Sequence, residues 1–426
     1  ACFEGGKTKR EESPVRWCWG WLGIAVFAFT LQGPVRAQSM KEAEAAYREK
    51  DYAKALPLFK ELADQNDARA QHTVGVMYSN GNGVAKDDAQ AVFWFRKAAE
   101  QGVANAQYSL GVMFANGRGT EKDDAQAVYW LGKAAEQGVA NAQYSLGVRY
   151  ANGSGVDKNE PLAVYWFRKA AEQGNANAQY RLGVRYATGN GVEMDEAMAV
   201  NWYRKAANQG NALAQAKLGE MYANGSGVAK DELQAVFWYR KAAVQGIARA
   251  QDDLGMMYAN GRGVAKDEAQ ALYWIRMATE QGDALAQYNL GNIYANGRGV
   301  AKDDGQAVYW YLKAAGQGIA AAQNSLGVMY TNGYGVAKND IQALFWYRQA
   351  AEQGNYSAQN NLGGMYEFGI GVPKNEQTAY FWYLRASGSG EQASIDNRNS
   401  IEARLTPEQK AKAQAQAREW KAKPEQ

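Results

Sequence analysis

The stretch AQYSLGVMFANGRGTEKDDAQAVYWLGKAAEQGVAN, Ala106–Asn141, decides the fold, because it returns every 36 residues along most of the chain. Its Leu-Gly glycine recurs at Gly75, Gly111, Gly147, Gly183, Gly219, Gly255, Gly291, Gly327 and Gly363. Its tryptophan recurs at Trp94, Trp130, Trp166, Trp202, Trp238, Trp274, Trp310, Trp346 and Trp382. A fixed period of this size marks one supersecondary unit stacked on copies of itself. Stacked units build an extended surface rather than a catalytic pocket, so the period points toward binding.

Within this copy Ala106, Leu110, Met113 and Phe114 fall at i, i+4, i+7 and i+8, the spacing of an amphipathic helix. Ala127, Trp130, Leu131, Ala134 and Ala135 share one face of a second helix. Asn116, Gly117, Arg118 and Gly119 form the turn between them, since Asn and Gly reach positive φ at little cost. Asp123 is placed as N-cap with Gln126 completing a capping box; the cap is Asp or Asn in all nine copies and six keep the Gln. Gly138 ends the second helix as a C′ glycine. Each copy is a helix hairpin whose apolar face only a neighbour can bury, which predicts an all-α fold, an α/α solenoid.

The Leu-Gly glycine lies inside the first helix, where Gly costs about 1 kcal/mol against Ala. Its presence in all nine copies predicts that the paired helix or the repeat tryptophan approaches the backbone there. Gly111, Trp130, Gly147, Trp166, Gly183 and Trp202 are therefore read as architecture. Truncating one such Trp is expected to cost roughly 3–5 kcal/mol.

The patterns A-x-x-x-L-G-x-x-Y-x-x-G-x-G-V and A-x-x-W-x-x-K-A-A-x-x-G resemble the Sel1-like repeat, a relative of the tetratricopeptide repeat. Here Ala106, Leu110, Gly111, Phe114, Gly117, Gly119, Ala127, Trp130, Lys133, Ala134, Ala135 and Gly138 carry them. The resemblance runs from about Ala70 to Ala393 and implies α/α solenoids that act as adaptors in signalling and envelope assembly. It names no partner.

The ends read differently. Lys7, Lys9, Arg10 and Arg16 precede an apolar run from Trp17 to Leu31, and Val35 and Ala37 fit a small-residue cleavage site. That is the layout of a secretory signal over residues 1–37, cut before Gln38, and it predicts a periplasmic or secreted bacterial protein. An uncleaved anchor is the one membrane attachment the sequence admits. The first methionine is Met40, so a non-standard start near Val15 is expected; a start at Met40 would remove the signal. Residues 38–69 read as a tetratricopeptide-like capping hairpin, 70–393 as nine Sel1-like repeats, and 394–426 as C-terminal capping helices.

Composition excludes several functions. Of 47 basic and 44 acidic residues, five and three fall in residues 1–37, leaving 42 against 41. No basic field of the kind nucleic acid requires remains. Both cysteines, Cys2 and Cys18, lie in the expected signal, and His72 is the single histidine. Zinc sites of His/Cys type and Ser-His-Asp or Cys-His catalysis lack their residues. The paired acids Asp87-Asp88 and Asp123-Asp124 stand at helix starts, where capping explains them. Gly117-Arg118-Gly119 with Lys122 has some likeness to a phosphate loop, and Asn-Gly-x-Gly to a calcium repeat, but neither spacing matches. No cofactor and no metal are expected, and His72 is read as a surface residue.

Positions that drift between copies are free of stacking duty. One first-helix column reads His72, Tyr108, Tyr144, Tyr180, Ala216, Asp252, Tyr288, Asn324, Asn360, and its neighbour four residues on begins Val76, Val112, Val148, Val184. Residues four apart share a face, which by analogy with tetratricopeptide arrays would line a concave groove. Tyr108, Val112, Tyr144, Val148, Tyr180 and Val184, with Arg149 and Arg185, are the candidate protein-binding residues. The tyrosines equally suit packing between neighbouring first helices, and the arginines suit solvent. The expected protein is thus an exported, non-enzymatic adaptor, monomeric or weakly oligomeric, binding a protein or peptide of unknown identity. The alternatives are a cell-wall or β-lactam-acting protein, suggested by cysteine-rich family members, and a scaffold for envelope polysaccharide.

Overall fold

In a computed structural model of the chain, residues 36–423 are described. They form two compact units, the first ending at Ala178 and including Asn190–Glu193, the second holding Gln179–Gly189 and everything from Met194. Every regular element among the described residues is helical, as the period predicts. None of these helices is long and apolar enough to cross a membrane.

The first unit begins with a helix over 36–48, α1, packed on α2 (Tyr52–Asp64). Three hairpins follow: α3 (Ala68–Asn80) with α4 (Asp88–Glu100), α5 (Ala104–Asn116) with α6 (Asp124–Glu136), and α7 (Ala140–Asn152) with α8 (Glu160–Glu172). The division falls within α9 (Ala176–Thr188). The second unit continues through α10 (Glu196–Asn208), then pairs α11 (Ala212–Asn224) with α12 (Glu232–Ala243) and α13 (Ala248–Asn260) with α14 (Glu268–Glu280). Next come α15 (Ala284–Asn296) with α16 (Asp304–Gly316), α17 (Ala320–Asn332) with α18 (Asp340–Glu352), and α19 (Tyr356–Phe368) with α20 (Glu376–Ala386). A short 3-10 turn, α21 (Gln392–Glu402) and α22 (Pro407–Glu419) close the chain. The expected signal lies almost wholly outside the described residues. Its last two residues, Arg36 and Ala37, belong to α1, and Arg36 pairs with Asp67 at 3.2 Å.

The local signals act as their chemistry dictates. Asp123 accepts the Gln126 amide at 2.9 Å and starts α6. Gln126 does not return the bond; among the described caps both halves of a capping box form only at Thr406 and Gln409. Gly117 takes φ +65° and donates to Met113 O, ending α5, and the Asp123 amide reaches back to Phe114 O at 3.0 Å to close the loop. Gly138, at φ +89°, ends α6 with Val139 donating to Ala134 O, a Schellman closure. The second loop glycine has a separate task. A Cβ on Gly119 would stand 2.0 Å from Asp88 O, so this loop lies directly on the start of the preceding second helix.

The Leu-Gly glycine meets the paired helix, and the residue it meets is the one after the tryptophan. A Cβ on Gly111 would lie 2.8 Å from Leu131 Cγ, on Gly147 2.7 Å from the Phe167 ring, and on Gly219 2.8 Å from the Tyr239 ring. The tryptophan, one residue earlier and about 100° around the helix, turns toward the preceding hairpin. Trp94 is buried with Ala43, Phe59 and Val74, and Trp130 packs on the cluster of Phe95, Ala98 and Leu110. Adjacent residues thus divide the work: one seals its own hairpin, the other joins it to its neighbour.

A glutamine relay, not expected from the sequence, sets the register between hairpins. Gln107 is buried, and its Nε2 donates to Ala99 O at the end of α4 at 3.1 Å. Its Oε1 accepts from Gln137 Nε2 of the next second helix at 2.7 Å. The arrangement repeats at Gln143, which bonds Ala135 O at 3.1 Å and receives Gln173 at 2.7 Å, and at Gln251, which bonds Ala243 O at 3.0 Å and receives Gln281 at 2.7 Å. A buried amide satisfied on both ends holds one stacking offset, because sliding would leave its groups unpaired in a dry interior.

Two glycines separate packing from propensity. Gly132 lies in α6 with nothing near an added Cβ, whereas an added Cβ at Gly147 meets the Phe167 ring. Gly132→Ala should therefore stabilise the chain by roughly 0.5–1 kcal/mol through helix propensity. Gly147→Ala should destabilise by about 1–3 kcal/mol through overpacking. Urea unfolding followed by circular dichroism reads both, and equal signs for the two would refute the assignment.

Candidate functional site

The drifting column on the first helices occupies a half-buried seat. In the first unit the Tyr144 ring lies tilted over Phe167 with centroids 6.1 Å apart, His72 lies over Phe95 at 5.7 Å, and Tyr108 packs on the Leu131–Leu146 cluster. In the second unit Tyr180 lies over Tyr203 and Tyr288 over Tyr311, both at 5.9 Å. Each ring covers the second-helix residue that the Leu-Gly glycine admits and leaves its other side at the surface. Val112, Val148 and Val184 are half-buried beside them. The tyrosines thus lean on the second helix of their own repeat, a packing the sequence did not anticipate.

Three sequence readings change. His72 is half-buried against Phe95 rather than a surface residue, because the Phe95 ring of its own second helix lies beneath it, and burial pushes its pKa down. Arg149 is not solvated: its guanidinium sits 2.5 Å from Asp124 Oδ1, and that bond holds the Asp124 carboxyl below its ordinary range. Arg185 is half-buried at the equivalent place in the second unit. The basic residues of the loop are engaged as well. Arg118 pairs with Asp88 at 2.7 Å and Lys122 with Asp124 at 3.5 Å, so the cations that gave the loop its likeness to a phosphate cradle are already neutralised.

A concavity opens on this first-helix face in each unit. In the first, a cavity of about 520 Å³ opens between Tyr47, Phe59, His72, Thr73 and Val76, with Glu44 and Arg48 at its border. In the second, a smaller one of about 180 Å³ lies among Met256, Ile275, Asn289, Asn292 and Ile293. Apolar walls with a few polar groups suit a side chain of a bound segment.

Asp252 is the anomaly of the column. It is 3% exposed, and Asn289 Nδ2 donates to both its carboxylate oxygens at 2.9 and 3.1 Å. Burial, with Asp253 and Asp283 nearby, pushes its pKa up to about 7 against only partial relief from Asn289 and Arg249. Later repeats build the same bond from amides: Asn361 donates to Asn324 at 3.1 Å and Asn397 to Asn360 at 2.9 Å.

The stacked helix hairpins, with their loop glycines and paired glutamines, define a repeat solenoid. The chain belongs to the Sel1 repeat family, whose pattern matches residues 45–67, 68–103, 104–139, 140–175, 176–211, 212–247, 248–283, 284–319, 320–355 and 357–390. The first match falls within the α1–α2 hairpin. Among solved structures the chain is similar to c5321, a protective antigen present in uropathogenic Escherichia coli strains that displays an SLR fold. Identity is 36% and the TM-score 0.67, over 90% of this chain and 92% of that one. It is also similar to a Sel1 repeat protein from Oxalobacter formigenes, with 33% identity and a TM-score of 0.56 over 74% and 93% of the two chains. No curated protein matches it.

The Asp252 carboxyl makes stability depend on pH in a definite sense. Its folded pKa is raised above the ordinary value of 3.8, so the ionised buried form costs stability above about pH 7. The cost is relieved as pH falls toward 4, where the folded state holds the proton. Asp252→Asn should therefore raise the unfolding free energy by about 2–4 kcal/mol at pH 8 and by little near pH 4. Denaturant midpoints at the two pH values test this; a gain that grows on acidification would contradict it.

Proposed function

We propose that this chain is an exported, non-enzymatic adaptor that binds a protein or peptide segment through its first-helix face. The family and the tetratricopeptide-like hairpins support a protein-interaction role. The observation that carries the choice of face is the apolar cavity of about 520 Å³ at His72, Thr73 and Val76. His72 is the first member of the column that continues with the half-exposed rings of Tyr108 and Tyr144, on positions that vary between copies while the stack does not. The mechanism is display: hairpins held in register by the glutamine relay present rings and shallow cavities without reorganising on binding. Export rests on the basic, apolar and small-residue regions that precede Gln38 in signal order. The envelope is the setting that follows.

Affinity capture from envelope extract tests the reading, with the chain from Gln38 as bait. Thr73→Arg fills the cavity from its border. A second variant replaces Tyr108, Tyr144 and Tyr180 by Ser, and both must match the parent in helical circular dichroism and melting. Retention of a partner by the parent, falling about tenfold or more in either variant, is expected for a face whose anchors are aromatic. Equal retention by all three baits removes this face from the reading, and retention of nothing removes the adaptor.

A further inference from the structure

The residue immediately before the repeat tryptophan is aromatic in eight of nine copies, and it does not face the core. Tyr129 is 53% exposed and Tyr165 49% exposed. Each stands edge-on to its tryptophan, with ring centroids 4.9 Å apart. Such residues are ordinarily withdrawn from water, so rings at the same place on successive second helices of a unit make an exposed aromatic row.

The chain itself covers the last rung. Beyond α22 the backbone is extended, and Trp420 packs edge-on to Trp382 with centroids 6.3 Å apart, beside Phe381. Phe381 is half-buried in consequence, unlike its exposed counterparts. Arg385, three residues after Trp382, places its guanidinium 4.4 Å from the Trp420 ring centroid and donates to Ala417 O at 3.2 Å. Three residues past Trp420, the Lys423 amide donates to Glu352 O at 2.8 Å and its Nζ sits 2.5 Å from the Glu352 carboxylate. Glu352 is the last residue of the preceding second helix, α18. The molecule therefore shows an aromatic-x-x-Lys segment seated across two second helices.

The same frame recurs uncovered in the first unit. Tyr129 and Trp130 stand where Phe381 and Trp382 do, Lys133 replaces Arg385, and Glu100 at the end of α4 replaces Glu352. One repeat on, Tyr165, Trp166, Lys169 and Glu136 restore it. Lys133 and Lys169 already lie 5.8 Å from the Tyr129 and Tyr165 centroids, poised to stack on an incoming ring as Arg385 does. Glu100 and Glu136 are exposed. In the second unit Tyr309, Trp310, Lys313 and Glu280 complete it, with Lys313 4.9 Å from the Tyr309 centroid, whereas at Asn208, Val244 and Gly316 the terminal glutamate is lost and the frame is incomplete.

We propose that these uncovered second-helix frames bind an extended partner peptide carrying an aromatic residue followed three places later by lysine. The ring lies against Tyr129, Tyr165 or Tyr309 under the adjacent lysine, and the peptide ammonium meets Glu100, Glu136 or Glu280. This face is distinct from the one that carries the proposed adaptor role, and either can fail alone.

A labelled peptide with the sequence of Gln416–Lys423 is the probe, titrated against the full chain by fluorescence polarisation. Saturable binding below about 1 mM is expected. It should weaken about tenfold when Tyr129, Tyr165 and Tyr309 are all changed to Ser, when Glu100, Glu136 and Glu280 are all changed to Gln, or when the probe tryptophan is Ala. The substituted side chains are exposed, and circular dichroism confirms that the fold is kept. Thr73→Arg on the first-helix face should leave the affinity unchanged. Absence of saturable binding, or binding indifferent to these substitutions, overturns the proposal. So does concentration-dependent dimerisation of the parent that is lost in Trp420→Ala, since the strip would then serve a second copy.

Discussion

Everything in this architecture depends on backbone that carries no side chain at two points of each repeat. The Leu-Gly glycine lets a Leu, Ile, Phe or Tyr of the second helix lie on the first, closing the hairpin. The second loop glycine lets the turn rest on the carbonyl of the preceding second helix, closing the step between hairpins. Neither contact has room for a methyl group, and both are local in space. A repeat array has only nearest-neighbour interfaces, so a defect at one step cannot be shared by a wider core. That explains why the glycines persist in every copy while the residues they meet vary among Leu, Ile, Phe and Tyr. The void is fixed and its filling is free within a volume.

What could be read from residue order follows from how local each cause is. Period, hairpin boundaries, N-caps and C′ glycines depend on residues within one turn of each other, and the sequence expresses them directly. The partner of the Leu-Gly glycine depends on the rotation of the second helix, which decides between adjacent Trp130 and Leu131. Arg149 and Asp124 stand 25 positions apart, beyond any local rule. The glutamine relay was present as a column that never changes from Gln71 to Gln359, but a polar residue on a helix is ordinarily read as exposed. Its constancy was the signal that it was buried. The exposed ring before each tryptophan was hidden for the opposite reason: an aromatic pair reads as core, and only one member of the pair is.

The two faces of the hairpins carry different chemistry because they face different constraints. First-helix side chains of the drifting column sit over the second-helix residue beneath them, and the column takes Tyr, His, Asn, Asp and, at Ala216, a bare methyl group. Its binding capacity is confined to the outer side of each ring and to the cavities between rings. Second-helix rings before the tryptophan have no such duty. They rest on the indole edge and are half in water, and the lysine one turn later shields them by cation–π contact, as with Lys97 4.7 Å from the Phe93 ring centroid. An exposed ring that is kept in eight of nine repeats without a packing role is the stronger mark of a surface kept for contact.

Asp252 shows how far a drifting position can go before the stack resists. The column bond between consecutive first helices is neutral at Asn324–Asn361 and Asn360–Asn397, where amide meets amide. At Asp252 the same geometry holds a carboxylate, with one amide to satisfy two oxygens and Asp253 adding like charge. A buried carboxylate without a cation in contact costs more than the hydrogen bonds from Asn289 return. The step between α13 and α15 is therefore held against an opposing electrostatic charge that its neighbours lack. The cavity of about 180 Å³ beside Asn289 and Ile275 borders this step. In an array stabilised by nearest neighbours, the most strained step sets where opening begins. At neutral to alkaline pH the ionised Asp252 weakens the step beside that cavity, and the penalty fades as pH falls toward the ordinary carboxylate range.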